Sequence, residues 1–115
     1  MHADTIYLPC PQYPTSQMKP LYTVFVALQD ITEDMGNTIF YPRTHTEESH
    51  KMWNLSQRKA DTPTFLSGQP AMRSSLKKGD VSIFDSRLLH AGMANGCRPP
   101  LDRRVCEYVL VVLYV

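Results

Sequence analysis

Apolar residues in this chain fall in short runs, not at sustained helical spacing. Leu21 to Ile31, LYTVFVALQDI, is the strongest run of the first half. It is rich in aromatic and β-branched residues and apolar on both faces, which predicts an inner strand of a sandwich or barrel. Thr32 to Gly36 reads as a turn, and Asn37 to Tyr41 as a return strand that closes a hairpin with the first. In Val81 to Phe84 apolar Val81 and Ile83 alternate with Ser82, the period of a strand, and Leu88 to Gly92 reads as a second short strand. Val105 to Val115 is largely apolar on both faces and predicts a buried last strand.

Turn chemistry punctuates these runs. In Lys78-Gly79-Asp80 glycine supplies the positive φ, and aspartate can bond its own backbone, so a tight turn is expected. The prolines of Pro9 to Pro14 exclude a helix or central strand and predict a loop. Thr, Pro, Ser and Gly dominate Asp61 to Ser75, which reads as an irregular surface segment. Thr46 to Lys59 is the one expected helix, with Thr46 as N-cap and Glu47 and Glu48 in the first turn, where they suit the helix dipole. Met52 and Trp53 read as packing residues of that helix and His50 as a surface residue. About six short strands and at most one short helix give an all-β fold, a sandwich or barrel, in a single domain over residues 1–115.

Composition narrows the function. A net charge of +1 gives no electrostatic footprint for nucleic acid, and none is expected as a partner. No apolar run reaches the roughly 18 residues of a membrane helix, so no membrane span is expected. No basic segment followed by an apolar core opens the chain. The three cysteines, Cys10, Cys97 and Cys106, show no CxxC spacing. They read as free thiols in a reducing compartment, and a cytoplasmic location is expected.

The chemistry lies at the two ends. In a strand, His2-Ala3-Asp4 places an imidazole and a carboxylate on the same face. His90 stands far along the chain, between apolar residues, in the second short strand. Two histidines and one carboxylate suit a facial triad, which holds non-haem Fe(II) on one side and leaves positions open for substrate and oxygen. An arginine a dozen or so residues after the second histidine adds a forked clamp for a carboxylate. Arg103 and Arg104 stand there.

In this order the residues resemble the Fe(II)- and 2-oxoglutarate-dependent dioxygenases, and most closely the phytanoyl-CoA dioxygenase family. His2-Ala3-Asp4 matches that family's H-x-D. Phe25 to His45 resembles its hairpin, which usually closes with N-G and then P-G-S-H; here those places read Met35-Gly36 and Pro42-Arg43-Thr44-His45. Lys78-Gly79-Asp80, Phe84 and His90-Ala91-Gly92 resemble its G-D…F…H-G-S block, and Asn95 with Arg103-Arg104 its N…R-R ending.

The resemblance implies an incomplete double-stranded β-helix, or jelly roll, corresponding to the C-terminal portion of a family whose members are commonly more than twice as long. It implies that His2, Asp4 and His90 hold Fe(II) and that Arg103 binds the distal carboxylate of 2-oxoglutarate. Phe25 falls near a position where the family often has an aromatic beside this cosubstrate. The implied reaction consumes O2, converts 2-oxoglutarate to succinate and CO2, and hydroxylates a small-molecule or lipid-like substrate. The stretch from His90 to Arg103 is longer than usual, through Arg98-Pro99-Pro100, which leaves Arg104 as an alternative clamp. His45 is expected as a loop residue near the site mouth and not a ligand. Prolyl 4-hydroxylases are a second resemblance, echoed by Thr38 to Pro42, but they usually clamp with a lysine, and none follows His90. An inactive jelly-roll fragment and a cupin-like metal-binding module are the remaining readings.

Overall fold

The computed structural model describes residues 1–5, 19–58, 66–96 and 111–114. Its strands are β1 (Leu21–Val26), β2 (Thr38–Phe40), β3 (Met72–Ser74), β4 (Val81–Asp85), β5 (His90–Gly92) and β6 (Val111–Tyr114), with one helix, α1 (Glu47–Arg58). They form two antiparallel three-stranded sheets, ordered β4-β1-β6 and β3-β2-β5. The segment at His2 pairs with His90 on the outer side of β5 and so extends the second sheet. The chain passes from one sheet to the other at every step except β2 to β3, which pair within the second sheet. The all-β architecture with one short helix is compatible with an incomplete jelly roll. Among the described residues no helix is long and apolar enough to cross a membrane.

β1 is the central strand of its sheet, as its two apolar faces require. The expected hairpin between it and the return strand does not form, because β1 and β2 belong to different sheets. The reason lies in the connection. Beyond Val26 the chain keeps company with the segment before β4: Ala27 N–H donates to the Asp80 carbonyl at 2.9 Å, and Ile31 and Leu76 exchange backbone hydrogen bonds at 2.7 and 3.0 Å. Asp30 accepts from the Lys78 N–H at 2.9 Å and from Lys77 Nζ at 3.0 Å. Only then does a short 3-10 turn, Glu33–Met35, swing the chain across to β2. Gly36 ends that turn at φ +73°, and a Cβ there would stand 2.4 Å from the Met93 carbonyl oxygen, so the position requires glycine on both counts.

The turn at Lys78-Gly79-Asp80 forms as expected, with Gly79 at φ +93° and Asp80 Oδ2 accepting from the Lys77 N–H. Within β4 the alternation holds in an unexpected sense. Phe84 is buried inside, whereas Val81 and Ile83 lie on the outer face, Ile83 with 64% of its surface exposed. The stretch expected to be irregular over residues 61–75 contains β3; an edge strand of three residues, Met-Arg-Ser, pairs through its backbone and carries little side-chain signature. Thr46 caps α1, its hydroxyl accepting from the Ser49 N–H at 3.2 Å. The helix turns a different face inward than expected. Met52 is 47% exposed, while His50 is buried, because its Nε2 donates to the Arg87 carbonyl at 2.6 Å. Phe25 and Phe84 from the first sheet and Phe40 from the second meet between the layers, with centroids 5.1 Å apart for Phe25–Phe84 and 4.8 Å for Phe40–Phe84.

Candidate metal centre

Backbone pairing assembles the site. His2 and His90 form an antiparallel bridge and exchange both N–H···O bonds at 2.9 Å. Directly opposite residues in such a pair share a face, and the two imidazoles stand with centroids 4.4 Å apart. Asp4, two residues on, lies on the face of His2. Its Oδ1 is 3.5 Å from His2 Nε2 and 3.5 Å from His90 Nε2. One donor atom from each of the three side chains lies within 4.8 Å of the others, and among the described residues these three alone form a group of this kind.

Each ligand has its own restraint. His90 is buried, stacked edge-on to Phe84 at 5.1 Å and tilted against Phe40 at 5.8 Å. Its Nδ1 lies 2.9 Å from the Leu88 carbonyl, which can only accept, so Nδ1 carries the proton and the Nε2 lone pair faces Asp4. Burial pushes the His90 imidazole below its ordinary value; the Leu88 hydrogen bond and the Asp4 charge pull it back only in part. The ring is therefore neutral at neutral pH, the form that ligates metal. Asp4 Oδ2 accepts from the Thr23 hydroxyl at 2.7 Å, and Thr23 Oγ1 lies 2.8 Å from Ser86 Oγ.

The turn before His90 is held from two sides. Arg87 folds back on Asp85, donating from Nε at 2.8 Å and from its backbone N–H at 2.9 Å to Oδ1. Burial alone would raise Asp85; the Arg87 hydrogen bonds and charge, with His45 nearby, outweigh it and hold the carboxyl below its usual range. Thr44 donates to the Tyr41 carbonyl at 2.6 Å and accepts from the Leu89 N–H at 3.0 Å, tying the corner after β2 to the residue next to His90.

The donor set fits a divalent ion. Neighbouring ligands of an octahedral ion with bonds of about 2.1 Å lie about 3 Å apart, and the two imidazole-to-carboxylate distances of 3.5 Å need little closure to reach that. Two nitrogens and one carboxylate on one face suit Fe(II) among the first-row metals. A cavity of about 410 Å³ between β3 and β4 is lined by Phe40, Met72, Ser74, Ser82 and Phe84; it does not include the three ligands but shares Phe40 and Phe84 with His90.

The structure thus brings together His2, Asp4 and His90, which stand 88 positions apart at their extremes. Phe25 lies on β1 against Phe84. His45 is half-buried next to Asp85 and is not in the group. Arg103, Arg104, the three cysteines and the loop of Pro9 to Pro14 lie outside the described residues. Thr23 and Ser86 went unmarked in the sequence, where hydroxyls 63 positions apart carry no joint signal. The family model described as phytanoyl-CoA dioxygenase (PhyH) matches residues 1–98. No curated protein and no solved structure gives a significant match.

Proposed function

The chain belongs to the phytanoyl-CoA dioxygenase family, and from that premise we propose that it is an Fe(II)- and 2-oxoglutarate-dependent oxygenase whose metal is held by His2, Asp4 and His90. The family places it in the superfamily of such oxygenases. The observation that carries the assignment to these residues is their convergence: donor atoms from both ends of the chain lie within 4.8 Å of one another on a backbone-paired frame. In this reading residues 1–115 form one jelly-roll core.

Bound Fe(II) would supply the redox chemistry that activates O2. The chain's own residues do the rest. His90 presents a neutral Nε2, fixed in tautomer by Leu88. Asp4 contributes negative charge, and His2 completes one side, so that the opposite side stays free for cosubstrate and O2. Arg103 clamps the distal carboxylate of 2-oxoglutarate with its fork, Arg104 being the alternative, and Phe25 walls the cosubstrate. Phe40 and Phe84 exclude water behind His90. The apolar cavity that shares these two rings supports a small, lipid-like substrate. The test is turnover: purified chain with Fe(II), ascorbate and 2-oxoglutarate forms succinate and CO2, and a His2→Ala variant does not. Absence of succinate above the metal-free background, from folded and iron-loaded protein, would defeat the proposal.

A further inference from the structure

Asp4 is not held by the histidines alone. Thr23 and Ser86, each only 1% exposed, place two hydroxyls in series behind it. A hydroxyl has one proton to give. The Asp4 carboxylate only accepts, so Thr23 must spend its proton on Oδ2 at 2.7 Å; Ser86 must then be the donor in the 2.8 Å contact with Thr23. The direction of the chain is therefore fixed: Ser86 to Thr23 to Asp4. Both hydroxyls stand on rigid backbone. Thr23 sits in the central strand β1 opposite Phe84, and Ser86 N–H donates to the Leu21 carbonyl at 2.8 Å. Ser86 grips the ligand segment a second time, its carbonyl accepting from the Thr5 N–H at 3.0 Å.

The geometry points to a positioning role. We propose that the Ser86–Thr23 relay fixes Asp4 as a ligand through one oxygen: Oδ2 is occupied by Thr23, and Oδ1 is left facing both imidazoles. A carboxylate free to rotate could take the metal through both oxygens and fill a position that the cosubstrate or O2 needs. Two buried hydroxyls, one on β1 and one in the turn after β4, are otherwise costly, since an apolar residue of the same shape carries no desolvation penalty. Partners behind a metal ligand of this kind commonly set both its orientation and the affinity of the site.

The inference rests on the metal site proposed above, and the experiment separates the two. Co(II), an air-stable probe, is titrated into wild type, Thr23→Val, Thr23→Ser and Ser86→Ala, reading affinity and the visible d–d absorption. Thr23→Val should weaken Co(II) by about 10- to 100-fold and Thr23→Ser should stay within about threefold of wild type. The d–d spectrum of Thr23→Val should differ from wild type as Asp4 becomes bidentate and its second oxygen takes a position otherwise held by water, a change that lost packing would not produce. Ser86→Ala should weaken Co(II) less than Thr23→Val does. Equal affinity and spectrum for Thr23→Val and wild type, or an equal loss for Thr23→Ser and Thr23→Val, overturns the relay while leaving the metal site intact. Should Thr23→Val not fold, Ser86→Ala decides, and unchanged Co(II) affinity there overturns the relay. Wild-type protein that takes up no Co(II) overturns the metal site and the relay together.

Discussion

His2 and His90 are neighbours across a backbone ladder: each N–H donates to the other's carbonyl at 2.9 Å, and the imidazoles project on the same side with centroids 4.4 Å apart. The pair is set by the strand register and not by the side chains themselves. A slip of one residue in either segment would turn one imidazole to the opposite face. The site is thus as stable as the pairing of a short N-terminal segment with β5, which makes the fold's own energetics part of the chemistry.

Acid should act on the fold through His90. Its folded value lies below the ordinary value because burial penalises the charged ring. Between the folded value and the unfolded one near 6.5, the unfolded chain binds more protons, so stability rises with pH. The stabilisation is complete above about pH 6.5 and is lost as pH falls through the folded value. Urea titrations of the metal-free chain should show a lower unfolding free energy at pH 5 than at pH 7.5, and His90→Phe should flatten that difference. An unchanged pH slope in His90→Phe would assign the effect to other groups.

Two left-handed positions should respond in opposite senses to substitution. Arg43 has φ +69°, at the place where the family's P-G-S-H carries glycine. An L-residue pays about 1–2 kcal/mol for this conformation, and glycine returns about 0.5–1 of it as chain entropy. Arg43→Gly should therefore stabilise by about 0.5–1 kcal/mol and raise Tm by a few degrees. Gly36→Ala should destabilise by about 2 kcal/mol or more, since φ is +73° and the new Cβ would meet the Met93 carbonyl oxygen at 2.4 Å. Thermal melts followed by circular dichroism read both; a stabilised Gly36→Ala would contradict the corner's geometry.

The clamp assignment is tested by its neighbour. Lysine keeps the charge of arginine but loses the fork. Losing one charge-assisted hydrogen bond costs about 1.5–3 kcal/mol, so Arg103→Lys should weaken 2-oxoglutarate by roughly 10- to 150-fold. Metal uptake should be unaffected. Titration of 2-oxoglutarate into Fe(II)-loaded Arg103→Lys and Arg104→Lys measures this. A large loss confined to Arg104→Lys would shift the clamp by one residue.

Local chemistry was legible in the sequence, and long-range placement was not. The Thr46 cap, the Gly79 turn and the short strand at His90 are set by residues within a few positions of each other, and each forms as its residues dictate. The separation of β1 from β2 depends on Asp30 meeting Lys77 and Lys78 from 47 and 48 positions away. No strand propensity encodes that. His50 looks like a surface histidine until the Arg87 carbonyl supplies a buried acceptor. The H-x-D pair and His90 could be singled out because metal chemistry restricts the residue types. Thr23 and Ser86 could not, since hydroxyls in strands are commonplace and only their stacking behind Asp4 gives them meaning.

Everything proposed for this chain's chemistry depends on His2, Asp4 and His90 binding one metal ion. The direct measurement is an anaerobic titration of Fe(II) into the metal-free chain, counting ions bound per chain in wild type, His90→Ala and His45→Ala. Wild type and His45→Ala should each bind one Fe(II) per chain, and His90→Ala should lose stoichiometric uptake, because two remaining ligands do not hold a facial site. Full Fe(II) binding retained by a folded His90→Ala variant would contradict this assignment.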